Sequence, residues 1–195
     1  MKKTLCPLIL LLLISQAVIS QPAAGLNSKA LNRALARNGI NDISRLKEII
    51  PEAGSGLLPE PQGKYYFVSG TEDEPPGYIY TGRVFTCRPG GCSVSINGES
   101  ATTGAEYFDY HIIFDSDKRV NMVKVFNYQA THGYEISARG WLRQFRGYAD
   151  RRSDKLTKDI DAISGATISV NAIINDIIVV TEVLENNINP PYPQK

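Results

Sequence analysis

The stretch Asp161-Ala162-Ile163-Ser164-Gly165-Ala166-Thr167-Ile168-Ser169, with the run that follows it to Glu185, decides how this chain is read. Ile173, Ile177, Val180 and Leu184 recur at helical spacing, and Ile174 and Ile178 widen the stripe. A long helix with one buried face is therefore predicted over residues 168–185, stopped by Asn189-Pro190-Pro191. In front of it stand small residues. A helix start presents unpaired backbone N–H groups and the positive end of the helix dipole, and both favour an anion such as phosphate. Gly165 permits close backbone approach, Ala166 keeps the neighbourhood uncrowded, and Thr167 puts a hydroxyl where the anion would sit. A plainer reading also stands: Ser164 or Thr167 caps the helix through its side-chain oxygen.

Upstream, the pattern changes from helical to alternating. Tyr65-Tyr66-Phe67-Val68 reads as a strand, as do Tyr78-Ile79-Tyr80 through Val84-Phe85 to Cys87, and Cys92 to Ile96, with Asn97-Gly98 as a turn. The clearest hairpin has Phe108, Tyr110, Ile112 and Phe114 alternating with Asp109 and His111, a turn at Asp115 to Lys118, and a return strand from Val120 to Phe126. His111 falls on the polar side of that alternation and is given no role. Nearer the start, Leu31 and Leu35 mark a helix over Ser28 to Arg37, ended by Asn38-Gly39. Asp42 is expected to cap a second short helix over Ile43 to Ile50, with a loop over residues 51–63. After Tyr128 the chain turns irregular through His132-Gly133-Tyr134-Glu135, and a short helix around Trp141 to Phe145 follows, with Trp141 read as core. The fold class is α+β: a twisted, mainly antiparallel sheet flanked by helices, with the long C-terminal helix beginning at the motif.

The chain has 195 residues, 43% of them hydrophobic and 21% charged, a profile that fits one globular core. Lys2, Lys3 and the apolar run from Leu5 to Ile19 read as a signal peptide cleaved after Ser20, an uncleaved anchor being the rival. No later stretch reads as long and apolar enough to span a membrane. The domain organisation is a signal peptide over 1–20, a leader with N-terminal helices over 21–63, the main domain over 64–188 and a Pro-rich tail over 189–195. Loss of Lys2 and Lys3 moves the formal charge from +1 to −1, which argues against a nucleic-acid partner. The cluster Arg139, Arg143, Arg146, Arg151 and Arg152 is either a solvated helix face or a docking surface. Cys87 and Cys92 enclose a Pro-Gly-Gly turn and read as a disulfide in an oxidising compartment. The two cysteines and two distant histidines show no metal-ligand spacing, and Ser164 is not in a nucleophile elbow, so neither a metal site nor a catalytic residue is expected.

Residues 161–167 match in full the Asp-x-x-(Ser/Thr)-Gly-Ala-(Thr/Ser) pattern of the FMN-binding domain family, which includes the exported flavin domains of the sodium-translocating NADH:quinone oxidoreductase and of the Rnf complex. The resemblance covers roughly residues 64–185, with the strand Tyr80-Thr81-Gly82, the acidic hairpin turn, the irregular loop, the short helix and the motif in the family's order. It implies FMN as cofactor, transferred from FAD by an FAD:protein FMN transferase and joined by a phosphoester to Thr167. Asp161, Ser164, Gly165 and Ala166 then form the recognition frame. One part departs: where the family's membrane-complex subunits carry a Glu-Thr-Pro-Gly-like loop against the flavin ring, this chain has His132-Gly133-Tyr134-Glu135-Ile136. By position, His132, Gly133, Tyr134 and Glu135 become the candidate ring-side residues, with Tyr134 able to stack. The function implied is an electron relay on the periplasmic or extracytoplasmic side, with a redox partner at the membrane. The alternatives are a secreted, disulfide-stapled binding module without cofactor and a flavin reductase of a small substrate.

Overall fold

A computed structural model describes residues 29–37, 40–52, 61–72, 74–86, 106–149, 156 and 159–189. The expected signal segment, the cysteine pair, the strand Cys92 to Ile96 with its Asn97-Gly98 turn, the helix stop at Asn38-Gly39, the residues Arg151 and Arg152, and the Pro-rich end of the tail lie outside the described residues.

Helix α1 spans Lys29–Arg37, and the strands are β1 (Leu46–Ile49), β2 (Gly63–Val68), β3 (Gly77–Phe85), β4 (Tyr107–Phe114) and β5 (Val120–Gln129). Each strand pairs antiparallel with its neighbour in sequence, giving a five-stranded meander in the order β1-β2-β3-β4-β5. After β5 come a 3-10 turn at Tyr134–Ser137, helix α2 (Arg139–Leu142) continued by a 3-10 turn at Arg143–Phe145, and the long helix α3 (Thr167–Asn187). The architecture is α+β, as the alternating and helical periods require.

The short helix expected over Ile43 to Ile50 is not formed. Asp42 does cap, its Oδ1 accepting the Ser44 N–H at 2.8 Å, but it starts only the 3-10 turn Ile43–Arg45, after which Leu46–Ile49 is a strand. A run this short cannot be assigned from its own period. Pairing decides it: Leu46 lies opposite Val68 and Ile49 opposite Tyr65, so β1 extends the sheet along β2, whose last four residues are buried.

Two cores form, one on each face of the sheet. Against α3 pack Tyr65, Phe67, Tyr78, Tyr80, Phe108, Tyr110, Ile112 and Phe114, and all four residues of the predicted helix stripe are fully buried there. Against α1 pack Tyr66, Val68, Ile79 and Ile113, with Leu31 and Leu35 closing the layer. This second layer corrects the reading of His111 and Asp109. They do face away from the apolar side of β4, yet that face is covered too, and both are buried. His111 stacks on Phe126 at 4.1 Å, and burial pushes its imidazole down to about 3. Asp109 is held bidentately by Arg83, at 2.7 and 3.1 Å, and accepts from Asn127 at 2.6 Å. The expectation that no later stretch could span a membrane is also corrected. By length and composition α3 could, and its apolar face is packed on the sheet.

Candidate functional site

The motif forms a tight turn into α3. Ile163 O accepts the Ala166 N–H at 3.1 Å, and Gly165 takes φ +79, a left-handed conformation that favours glycine. A Cβ built on Gly165 would meet nothing within 4 Å, so the turn borders open space. Ala166 is the N-cap residue and is buried, its carbonyl accepting from Val170 N at 2.9 Å. Thr167 is the first helical residue and is exposed, as are Asp161, Ser164 and Gly165. No side chain caps the helix, so the capping role that Ser164 or Thr167 could have taken is not realised. Among the described residues the N–H groups of the first turn thus meet no side-chain acceptor, and an exposed hydroxyl stands beside them.

The turn itself is anchored from α2. Trp141 Nε1 donates to Asp161 O at 2.8 Å, and Gln144 Oε1 accepts the Asp161 N–H at 2.9 Å. Trp141 is buried in the core, edge-on to Phe145, so it serves as packing and as a clamp on the motif backbone.

The irregular loop reaches the same helix end. Gly133, at φ +87, sits so close to α3 that an added Cβ would stand 2.6 Å from Ser169 Oγ and 2.9 Å from the Tyr128 hydroxyl. Tyr128 ties the two together: its hydroxyl donates to His132 O at 2.6 Å and lies 2.8 Å from Ser169 Oγ. Tyr134, 68% exposed, stands edge-on to Tyr128, with ring centroids 5.6 Å apart. The upstream end of the loop is fixed by Glu106, whose Oε1 accepts both the Thr131 N–H, at 3.1 Å, and the Thr131 hydroxyl. Thus the structure brings Gly133 and the backbone of His132 against the first turn of α3. Tyr134 stands beside them, edge-on to the tyrosine that braces that turn. The side chains of His132 and Glu135 point to solvent without a hydrogen bond among the described residues.

Deeper along α3, Asp176 interrupts the apolar stripe. The Tyr110 hydroxyl donates to its Oδ2 at 2.5 Å, and burial raises its carboxyl to about 6 against the opposing pull of that hydrogen bond. The hydroxyls of Tyr65, Tyr80 and Tyr110 are all pushed up, first by burial and then by the Asp176 carboxylate. Tyr65 instead donates to Val180 O at 3.1 Å. Asp176 was readable in the sequence, since it lies three residues after Ile173 and four before Val180. Tyr128, Ser169 and Gln144 carried no signal of their own, because their roles come from contacts between distant segments.

The structure is an α+β domain, a sheet meander with a long helix across one face, and the start of that helix, which bears an exposed threonine, is of the kind that favours an anion. The family model of the FMN-binding domain matches residues 95–178, a span that runs from ahead of β4 into α3. That segment is similar to the FMN-binding domain family, which supports a flavin-binding reading of the protein. No curated protein and no solved structure matches the chain significantly. The residues present fit FMN: a free hydroxyl, an uncapped helix start and open space beside Gly165 stand together.

Proposed function

We propose that this chain is an exported flavoprotein that carries FMN esterified to Thr167 and relays electrons. The observation that supports it best is the combination at the start of α3 of an exposed Thr167 with a first turn that no side chain caps. In the attaching step, one phosphorus–oxygen bond of the FAD pyrophosphate breaks, AMP leaves, a bond forms from phosphorus to Thr167 Oγ1, and the hydroxyl proton is released. The FAD:protein FMN transferase supplies the catalysis.

Once bound, the flavin supplies redox chemistry that the side chains here lack. The protein binds and orients. The free N–H groups and dipole of α3 would favour the phosphate, a contribution of a few tenths to about 2 kcal/mol. Trp141 and Gln144 fix the backbone of Asp161 ahead of the turn. Gly133 allows the loop to close on Ser169, and Tyr134 offers an exposed ring beside that contact for stacking. An ester bond also abolishes dissociation, which suits a compartment where free FMN is scarce.

The direct test is co-expression with the transferase in an exporting host, followed by denaturing electrophoresis read by flavin fluorescence. Wild type is expected to fluoresce and Thr167→Ala to be dark at unchanged expression. A fluorescent Thr167→Ala band removes Thr167 as the acceptor, and a colourless wild type favours the cofactor-free binding module. Intact mass on the same samples reports cleavage after Ser20, the Cys87–Cys92 disulfide and the flavin adduct together.

A further inference from the structure

Helix α2 has two working faces. One holds the motif through Trp141 and Gln144. The other, through Arg139, Arg143 and Arg146, forms a wall of a groove of about 220 Å³ that runs over the edge strand β5 to the end of α1. Arg37 and Lys124 complete the rim, and Met122 and Leu142 lie between the cations. Among the described residues no acidic side chain lines this groove and no ion pair neutralises its five cations. Among the described residues their one side-chain hydrogen bond runs from Arg146 to Asn121 Oδ1, at 3.3 Å.

Five like charges drawn from three separate elements of a near-neutral chain are a concentration of potential, not an average property of the surface. An apolar strip ringed by arginines is also the composition of a protein interface, where arginine is enriched and the rim is polar. We propose that this groove docks an acidic protein surface and, resting on the relay reading above, that the docked protein is an electron carrier. Carriers of that kind form small, weak, charge-steered encounters. A partner seated here would stand one short helix, about 10–12 Å thick, from the backbone that holds the flavinylation motif.

The test uses the full chain, both flavinylated and as Thr167→Ala, with two named probes: a fluorescently labelled plant-type ferredoxin, which is acidic, and cytochrome c, which is basic. Anisotropy at low salt should show ferredoxin bound by both forms, cytochrome c unbound, and binding lost at high salt. Arg139→Glu with Arg143→Glu should weaken ferredoxin binding by at least about tenfold. The same charge change made elsewhere, by Lys29→Glu with Lys47→Glu, should leave it within about twofold, with all variants folded by circular dichroism. Absence of ferredoxin binding, or equal loss in both double variants, overturns the docking site. So does an effect of groove reversal confined to phosphatidylglycerol vesicles, which would assign the groove to anionic lipid. Because the Thr167→Ala form needs no flavin, failure of flavinylation leaves this binding result readable. Binding without electron transfer from reduced ferredoxin to the flavinylated chain overturns the carrier assignment alone.

Discussion

At its C-terminal end α3 has its last carbonyls met: Lys118 Nζ donates to Glu185 O at 3.2 Å and Ile188 O at 2.9 Å, and Asn187 O accepts the Glu52 N–H at 2.9 Å. At its N-terminal end no side chain among the described residues accepts from the first turn, and Thr167 lies open to solvent. Both ends begin with the same number of orphan backbone groups. The chain closes the end that has only a structural task and leaves unmet the end where a phosphate would complete it. Lys118 adopts φ +59 to reach its carbonyls, so the hairpin turn contributes directly to that closure.

The largest expected effect breaks the contrast at its open end. Thr167→Asp supplies the negative charge the helix start favours while removing the hydroxyl. It should lose all covalent flavin, read by in-gel fluorescence, and gain about 0.3–1 kcal/mol of stability in the unflavinylated chain, read by urea denaturation. Next comes the loop that abuts this end. Gly133→Ala combines a left-handed φ with a Cβ placed 2.6 Å from Ser169 Oγ, and should cost about 2–3 kcal/mol and lower flavin incorporation together. At the closed end, Lys118→Met removes two charge-assisted bonds to the last carbonyls and should cost about 1–2 kcal/mol with flavin content unchanged.

Asp176, between the two ends, gives a pH signature. Its carboxyl is raised to about 6 in the folded chain against the ordinary value near 4, so the folded state binds the extra proton between those values. Its contribution to stability is therefore most favourable below about pH 4, falls as pH rises to about 6, and is lost above that. Asp176→Asn should remove this fall and stabilise the chain at neutral pH by on the order of 2 kcal/mol, measured as the difference in urea midpoints between acidic and neutral buffer. His111 works in the opposite sense, since its depressed imidazole makes stability fall as pH drops from about 6.5 toward 3. The smallest effect is expected at Ser164→Ala, within about 0.5 kcal/mol of wild type by the same assay, because that hydroxyl caps nothing.

The helical period from Ile173 to Leu184 and the alternation from Phe108 to Phe114 were legible because side-chain direction repeats with backbone geometry, and both stripes are buried as read. The second face of the same hairpin was not. Alternation says which residues share a face but not whether that face is covered, so Asp109 and His111 read as polar-side residues although both are buried, Asp109 against Arg83 and Asn127 and His111 against Phe126. The strand Leu46–Ile49 was misread for a related reason: four residues carry too little period, and only pairing with β2 settles their state.

At the site, the motif from Asp161 to Thr167 was readable because a short loop entering a helix needs small residues at fixed places, and those places are local in sequence. What the sequence determined by itself was thus the local period, the turn and the identity of the exposed hydroxyl. Tertiary structure alone decided that Trp141 and Gln144 would grip Asp161, that Tyr128 would join His132 to Ser169, and that α2 would turn its arginines toward β5. Apart from the local Tyr128–His132 bond, those contacts join residues from 17 to 41 apart or bring separate elements to one groove, so no local pattern encodes them; they follow from how helices and sheet pack around the shared core.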